Sequence, residues 1–361
     1  MSDDSAIAAL ARAELGALTR YEIPHVAGIR AKLDANENPW PLPAEVAAAL
    51  GQTLARVALH RYPDGGAAHL RGLLARRLGR SPDALVLGNG SDELIGLLVT
   101  AFARPRAGAA RAGVAYPAPT FAVYRMAALA SGCEPVEIPL QPDFTLDGDA
   151  VDRVLEARRP NLLFLALPNN PTGTLWPRDE LVRILERRRD LIVVADEAYL
   201  DYSGAEHIDL LDAHANLVIL RTLSKTGMAA LRVGYLVAGP AIVRELEKVR
   251  PPYNVGALGQ TAAAYLLEHH RALLDEQVTR VVAERDRLGR ELARVPGLLV
   301  FPSRANFFLV RSEGATALWR RLAERGVLVR SFDRPGPLAG CLRITVGTPE
   351  ENELLLAALL V

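Results

Sequence analysis

Leu191-Ile192-Val193-Val194-Ala195-Asp196-Glu197-Ala198-Tyr199 is an apolar run that ends abruptly in two carboxylates and a tyrosine. The β-branched core Ile192-Val193-Val194 has strand composition without the polar alternation of a half-solvated strand, so it is expected to be buried on both faces. Six further runs share the pattern, at 85–87, 112–116, 133–138, 161–166, 216–221 and 233–238. The segments between them at 92–102, 121–131, 150–158 and 178–189 suit crossover helices. The first of these opens Ser91-Asp92-Glu93, an N-cap followed by first-turn acids. The expected architecture is α/β, with a mostly parallel seven-stranded sheet between helices over residues 45–260.

Beyond residue 260 the pattern changes. Val278, Val281, Val282, Leu288 and Leu292 lie among Arg and Glu, which describes one long amphipathic helix over 277–295. Strands at 298–301, 307–310, 327–330 and 341–346, with helices at 315–325 and from Pro349, make a smaller α+β unit. Arg334-Pro335-Gly336-Pro337 reads as a surface turn. The first 44 residues, with Asn38-Pro39-Trp40-Pro41-Leu42-Pro43, read as an extended arm joined to that unit. The expected domains are therefore 45–260 and, together, 1–44 with 261–361.

Composition narrows the function. The 361 residues carry 42 Lys plus Arg against 42 Asp plus Glu, and a net charge of zero argues against a basic nucleic-acid-binding surface. Cys133 and Cys341 have no paired spacing, which excludes a zinc knuckle or a disulfide scaffold and fits a reducing compartment. The acidic start Met1-Ser2-Asp3-Asp4 is unlike a signal peptide, and the apolar run 162–167 is far too short to span a bilayer, so a soluble cytoplasmic protein is expected. Lys32, Lys225 and Lys248 are the only lysines, so an amine nucleophile has three candidates.

Four stretches carry chemistry. Gly88-Asn89-Gly90-Ser91-Asp92-Glu93 joins a strand to a helix N-terminus, where backbone N–H groups can hold an anion. Glu93 stands where a dinucleotide fingerprint needs glycine, and any phosphate there requires both acids to turn away. Pro168-Asn169-Asn170-Pro171-Thr172-Gly173 is either a plain tight turn or an Asn presented at a strand end, where α/β sheets bind ligands. Asp196, at the end of a buried strand, needs a cation or a metal, and the scattered histidines suggest no metal. Thr222-Leu223-Ser224-Lys225 ends another strand; a lysine at that mouth is either on the surface or desolvated enough to attack a carbonyl.

A phosphate cradle, an Asn, a buried Asp, a Tyr and an imine-forming Lys together suit pyridoxal phosphate. With these motifs the chain resembles the fold-type I pyridoxal-phosphate-dependent aminotransferases of class II, and among them the histidinol-phosphate aminotransferases. The resemblance runs from Leu33-Asp34-Ala35-Asn36-Glu37-Asn38-Pro39 through Arg61-Tyr62-Pro63 to Leu342-Arg343-Ile344-Thr345-Val346-Gly347. It implies that Lys225 bonds the cofactor and moves the substrate Cα proton, and that Asp196 pairs with the ring nitrogen. It implies further that Tyr199 and Asn170 bond the phenolic oxygen while Phe121 stacks on the ring. Gly90, Ser91, Asp92, Thr222, Ser224 and Arg232 are implied to hold the phosphate, with Tyr62 arriving from the partner in a homodimer. The Lys225–Arg232 spacing is one position shorter than in many members.

The implied reaction exchanges an amino group between L-histidinol phosphate and 2-oxoglutarate, giving imidazole-acetol phosphate and L-glutamate, a reversible step of histidine biosynthesis. Tyr21, Asn36, Asn170, Arg330 and Arg343 are the implied substrate contacts, because an arginine fork grips carboxylate and phosphate alike. The alternatives are an aromatic amino-acid aminotransferase, which would differ only around Tyr21, Arg330 and Arg343, and a threonine-phosphate decarboxylase.

Overall fold

The computed structural model describes residue 7, residues 9–20 and residues 26–360. Twelve strands lie among them: β1 (Ala31–Leu33), β2 (Leu85–Asn89), β3 (Gly113–Ala118), β4 (Glu134–Pro139), β5 (Leu162–Ala166), β6 (Ile192–Asp196), β7 (Leu217–Thr222), β8 (Val233–Ala238), β9 (Leu298–Val300), β10 (Phe307–Ser312), β11 (Val327–Ser331) and β12 (Cys341–Thr345). They form a seven-stranded sheet in the order β2-β8-β7-β6-β5-β3-β4 and a five-stranded sheet in the order β1-β11-β12-β10-β9.

The seven expected runs are the seven strands of the larger sheet. Alternate residues face opposite sides, and both sides are dry. Leu163, Leu165, Val193, Ala195 and Ile219 pack with Val151, Leu181, Ile184 and Leu185 from the crossover helices Gly148–Arg158 and Arg178–Arg187. On the other face Leu162, Phe164, Val194, Val218 and Leu236 meet Leu94, Ile95 and Leu98 of the helix Gly90–Phe102. Each fully buried side chain of this size contributes about 1.5–3 kcal/mol over its exposed state, which is why these strands tolerate no polar alternation.

In the larger sheet all strand pairs are parallel except those made by β8, which runs against β7 and β2. Only residues 223–232 separate β7 from β8, too few for the crossover a parallel pair needs. That short return carries Lys225. In consequence β2, β5, β6 and β7 all run the same way and deliver their carboxyl ends to one edge.

The smaller sheet grows from both ends of the chain. β1 pairs in parallel with β11, Ala31 opposite Val327. The long helix expected over 277–295 spans Arg271–Leu292 and buries Val278, Val281, Leu288 and Leu292. The final helix Pro349–Leu359 is held by a reciprocal capping box between Thr348 and Glu351. Helices Ala44–Leu54, Ala68–Leu78, Pro240–Val249 and Ala257–His269 add layers that the sequence reading passed over. Among the described residues, no helix is long and apolar enough to cross a membrane.

Candidate active site

At the shared carboxyl edge the sheet register sets the site out. Gly88 of β2 stands opposite Gly234 of β8, and Gly234 stands opposite Thr222 of β7. A Cβ on Gly234 would lie 2.5 Å from the backbone of Gly90 and Ser91, and one on Gly90 would lie 2.6 Å from the Arg232 guanidinium. Only glycines permit that approach, and Gly90 also has φ +79°. Beside this turn Thr222 Oγ1 donates to Ser224 Oγ at 2.9 Å and accepts the Ser224 N–H at 3.1 Å. Backbone N–H groups, two hydroxyls and the Arg232 guanidinium thus meet at one helix N-terminus, an arrangement suited to a phosphate.

Of the two acids of that helix, one behaves as expected and one does not. Ser91 is not the N-cap: the helix starts at Gly90, with Asn89 capping through no side-chain bond. Glu93 does turn away, accepting the Asn89 N–H at 2.7 Å and Asn254 Nδ2 at 2.6 Å. Asp92 does not. Arg232, held at φ 51°, donates to its Oδ2 at 3.2 Å, and the Asp92 charge bears on both Asp196 and Lys225. The left-handed backbone at Arg232 places the guanidinium over Gly90, where Asp92 pairs with it at the mouth of the cleft.

The two asparagines after β5 divide the readings offered for that turn. Asn169 is fully buried and locks the turn, donating to the Pro119 carbonyl at 3.0 Å and to Thr172 Oγ1 at 2.9 Å. Asn170 faces the cleft, where its Oδ1 accepts Arg343 Nη1 at 2.6 Å. Arg343 Nη2 donates to the Asp34 carbonyl at 2.6 Å, and its plane lies near the rings of Phe307 and Phe332. Arg330 is paired across from Arg343 on β11 and β12, which concentrates positive charge on one patch.

Asp196 is 4% exposed. Burial pushes its carboxyl up to about 6, although hydrogen bonds from the Tyr124 hydroxyl at 2.6 Å and the Ala198 N–H at 3.1 Å oppose the shift. One residue on, Glu197 is sealed between His207 and Arg221, each with a nitrogen within 2.9 Å of its carboxylate; this buried pair ties β6 to β7 behind the site. Tyr199 is buried, and its hydroxyl accepts Asn36 Nδ2 at 2.9 Å. Asn36 is fixed in turn by Thr345, which takes its N–H and donates to its Oδ1, both at 3.0 Å.

Lys225 follows β7 and its amine stands 5.6 Å from the centre of the Tyr199 ring. The residue keeps some exposed surface, yet the amine lies in the cleft with a long 3.5 Å contact to the Ala35 carbonyl. Burial first, and the positive Arg343 second, lower its pKa to about 8. Tyr202 donates to the Lys225 carbonyl and holds the turn. Phe121 caps the helix Ala122–Ala130 and lies half-buried, edge-on to Tyr124. The structure therefore brings together Gly90, Ser91, Asp92, Asn170, Asp196, Tyr199, Thr222, Ser224, Lys225, Arg232, Asn36 and Arg343 at one cleft. Tyr62 is 81% exposed and stacks on Tyr253 at 4.7 Å. Tyr21 lies outside the described residues.

The sequence reading missed Tyr124, Thr345 and the Glu197–Arg221–His207 cluster. Tyr124 had a signal, being one helical turn after Phe121. Thr345 had none, because its partner Asn36 is 309 positions away.

Comparison with known proteins agrees with this geometry. The family model for aminotransferase class I and II matches residues 30–359. A histidinol-phosphate aminotransferase of Burkholderia lata is 44% identical over 350 residues, covering 96% of each chain. The crystal structure of histidinol-phosphate aminotransferase from Sinorhizobium meliloti in complex with pyridoxal-5'-phosphate superposes with a TM-score of 0.82 at 29% identity, covering 92% of this chain and 90% of that one. An L-threonine-O-3-phosphate decarboxylase from Porphyromonas gingivalis superposes with a TM-score of 0.76 at 26% identity, covering 91% and 98%. A match spanning almost the whole chain, over a sheet edge that gathers the expected amine, carboxylate and phosphate cradle, means that the chain belongs to the class I and II aminotransferase family.

Proposed function

We propose that this aminotransferase exchanges an amino group between L-histidinol phosphate and 2-oxoglutarate with pyridoxal phosphate as cofactor, in histidine biosynthesis. The observation that carries it is the Lys225 amine, shifted to about 8 and set beside Tyr199 at the same edge as Asp196. The residues fit the cofactor: Gly90 and Gly234 leave no room for a Cβ where the phosphate cradle forms, and the buried Asp196 carboxylate suits a cationic ring nitrogen.

When bound, pyridoxal phosphate supplies an aldehyde for an amine and a ring that draws electrons from the substrate Cα. Around it the backbone N–H groups of Gly90, Ser91 and Asp92, with Thr222, Ser224 and Arg232, would hold the phosphate, and Phe121 would lie against the ring. Asp196 would pair with the ring nitrogen and favour its protonated form. Tyr199 and the Nδ2 of Asn170 would donate to the phenolic oxygen, while Asn170 Oδ1 stays with Arg343. Lys225 Nζ takes and returns the substrate Cα proton, a task suited to an amine whose pKa lies near the working pH.

Glutamate brings carboxylates and histidinol phosphate brings a phosphate to the same pocket. Arg343, Arg330, Asn36 and Tyr21 serve both, since the arginine fork matches either anion. Residues 45–260 act as the cofactor-holding unit, and 1–44 with 261–361 supply the substrate arginines. Tyr62 would reach the phosphate of the neighbouring site in a homodimer; its exposed ring, stacked on the exposed Tyr253, offers that assembly an apolar contact.

Half-reaction absorbance with histidinol phosphate, phenylalanine, threonine phosphate and glutamate tests the assignment. Conversion of the cofactor to its amine form by histidinol phosphate and glutamate is expected. Preference for phenylalanine would mark an aromatic aminotransferase, and CO₂ release from threonine phosphate a decarboxylase.

A further inference from the structure

Asp196 is sealed in the sheet, yet the Ala198 N–H and the Tyr124 hydroxyl that bond it are both neutral donors. Its Oδ1 accepts the Ala198 N–H and its Oδ2 accepts the Tyr124 hydroxyl, at 3.1 and 2.6 Å. Charges that bear on it are Asp92 from the helix Gly90–Phe102 and Glu197 on its own strand end, both negative. The strand residues in register with it, Ala166 and Leu220, are apolar. Burial first, and the two acids after it, push this carboxylate toward its neutral form, and a short hydrogen bond from a fully buried phenol opposes them. A carboxylate has about four lone-pair sites, so two remain after both bonds for a ring N–H.

Tyr124 is placed for this by packing that does not need its hydroxyl. Its ring stacks on Phe164 at 4.8 Å and 12°, and meets Phe121 edge-on at 5.7 Å. Phe121 caps the same helix one turn earlier, so a single helix carries both the ring-stacking candidate and the hydroxyl that reaches Asp196. We propose that Tyr124 is a positioning residue for the cofactor, fixing the rotation of the Asp196 carboxylate and holding it ionised for the ring nitrogen. This rests on the reading of Asp196 as the ring-nitrogen partner.

The test is a double-mutant cycle read by pyridoxal-phosphate affinity at pH 7.5 in apo protein. Tyr124→Phe should raise Kd by about 10- to 100-fold, as expected for loss of a hydrogen bond to a charged group, with an unchanged circular-dichroism spectrum. In an Asp196→Asn background the same substitution should change Kd less than about threefold, since no charge is left to hold. If Asp196→Asn alone leaves Kd unchanged, the reading of Asp196 fails. If Asp196→Asn weakens binding but Tyr124→Phe does not, Tyr124 has no positioning role and that reading of Asp196 stands. Equal effects in both backgrounds would mean that Tyr124 acts through packing alone and would overturn the proposal. Should Tyr124→Phe fold poorly, carbon-13 NMR of the Asp196 carboxyl in apo protein carrying 3-fluorotyrosine decides: a titration midpoint lowered by the stronger phenol donor supports the proposal, and an unmoved midpoint overturns it.

Discussion

Arg343→Ala separates binding from chemistry in this site. The guanidinium donates to Asn170 Oδ1 and to the Asp34 carbonyl, both at 2.6 Å in buried surroundings. Each acceptor left unpaired costs about 1–3 kcal/mol, so stability should fall by about 2–6 kcal/mol, a loss read directly from denaturant unfolding. Removing one partner of a desolvated charge pair costs about 2–5 kcal/mol in binding, which is about a 30- to 4,000-fold drop in kcat/KM for glutamate. A second effect has a fixed sign. Arg343 is the second-largest influence lowering the Lys225 pKa, so its loss raises that pKa above about 8 and moves the ascending limb of the pH–rate profile to higher pH. Arg343→Lys should keep the limb near its original place, because the charge survives, while failing to recover the glutamate rate, because the fork does not. A folded Arg343→Ala protein with an unchanged glutamate half-reaction would refute the reasoning.

Asp196→Asn should stabilise the apo protein while weakening cofactor binding. The folded-state pKa of about 6 lies above the usual 3.8, so the native state holds the extra proton between those values. The resulting penalty grows as pH rises through that window and is fully present above about 6. Thermal melts should therefore favour the variant by at most about 3 kcal/mol at pH 7.5 and by progressively less as pH falls toward 4. Gly234→Ala puts a methyl 2.5 Å from the Gly90–Ser91 backbone, so it should cost about 1–3 kcal/mol of stability and weaken cofactor binding, seen by absorbance titration. Tyr62→Phe should bind cofactor more weakly, and mixing it with inactive Lys225→Ala should restore part of the affinity and activity; no recovery on mixing argues against shared sites.

Much of the fold is legible because a two-sided sheet needs unbroken apolar strands. The runs around Val193, Phe164 and Leu220 have no other economical placement. The short loop 223–232 even encodes the one reversed strand, since it cannot hold a crossover. By contrast β1 is three residues, Ala31-Lys32-Leu33, and exists only because Val327–Val329 lies beside it in space. Lys225, Asp196 and Asn170 stand out as polar residues at apolar strand ends. Their supports do not. Tyr124 looks like another core aromatic, and Asn36 gains meaning only when Tyr199 and Thr345 arrive from distant segments. Asp92, read as an acid that must turn away from the cradle, instead pairs with Arg232 beside it, because Arg232 adopts a left-handed backbone that spacing alone does not reveal.

Borohydride reduction of the cofactor-loaded protein, followed by peptide mapping, tests the lysine assignment most directly. A phosphopyridoxyl group on Lys225, lost in Lys225→Ala together with the visible absorbance, is the expected result. The same label on Lys32 or Lys248, or visible lysine-linked absorbance that survives in Lys225→Ala, would contradict it.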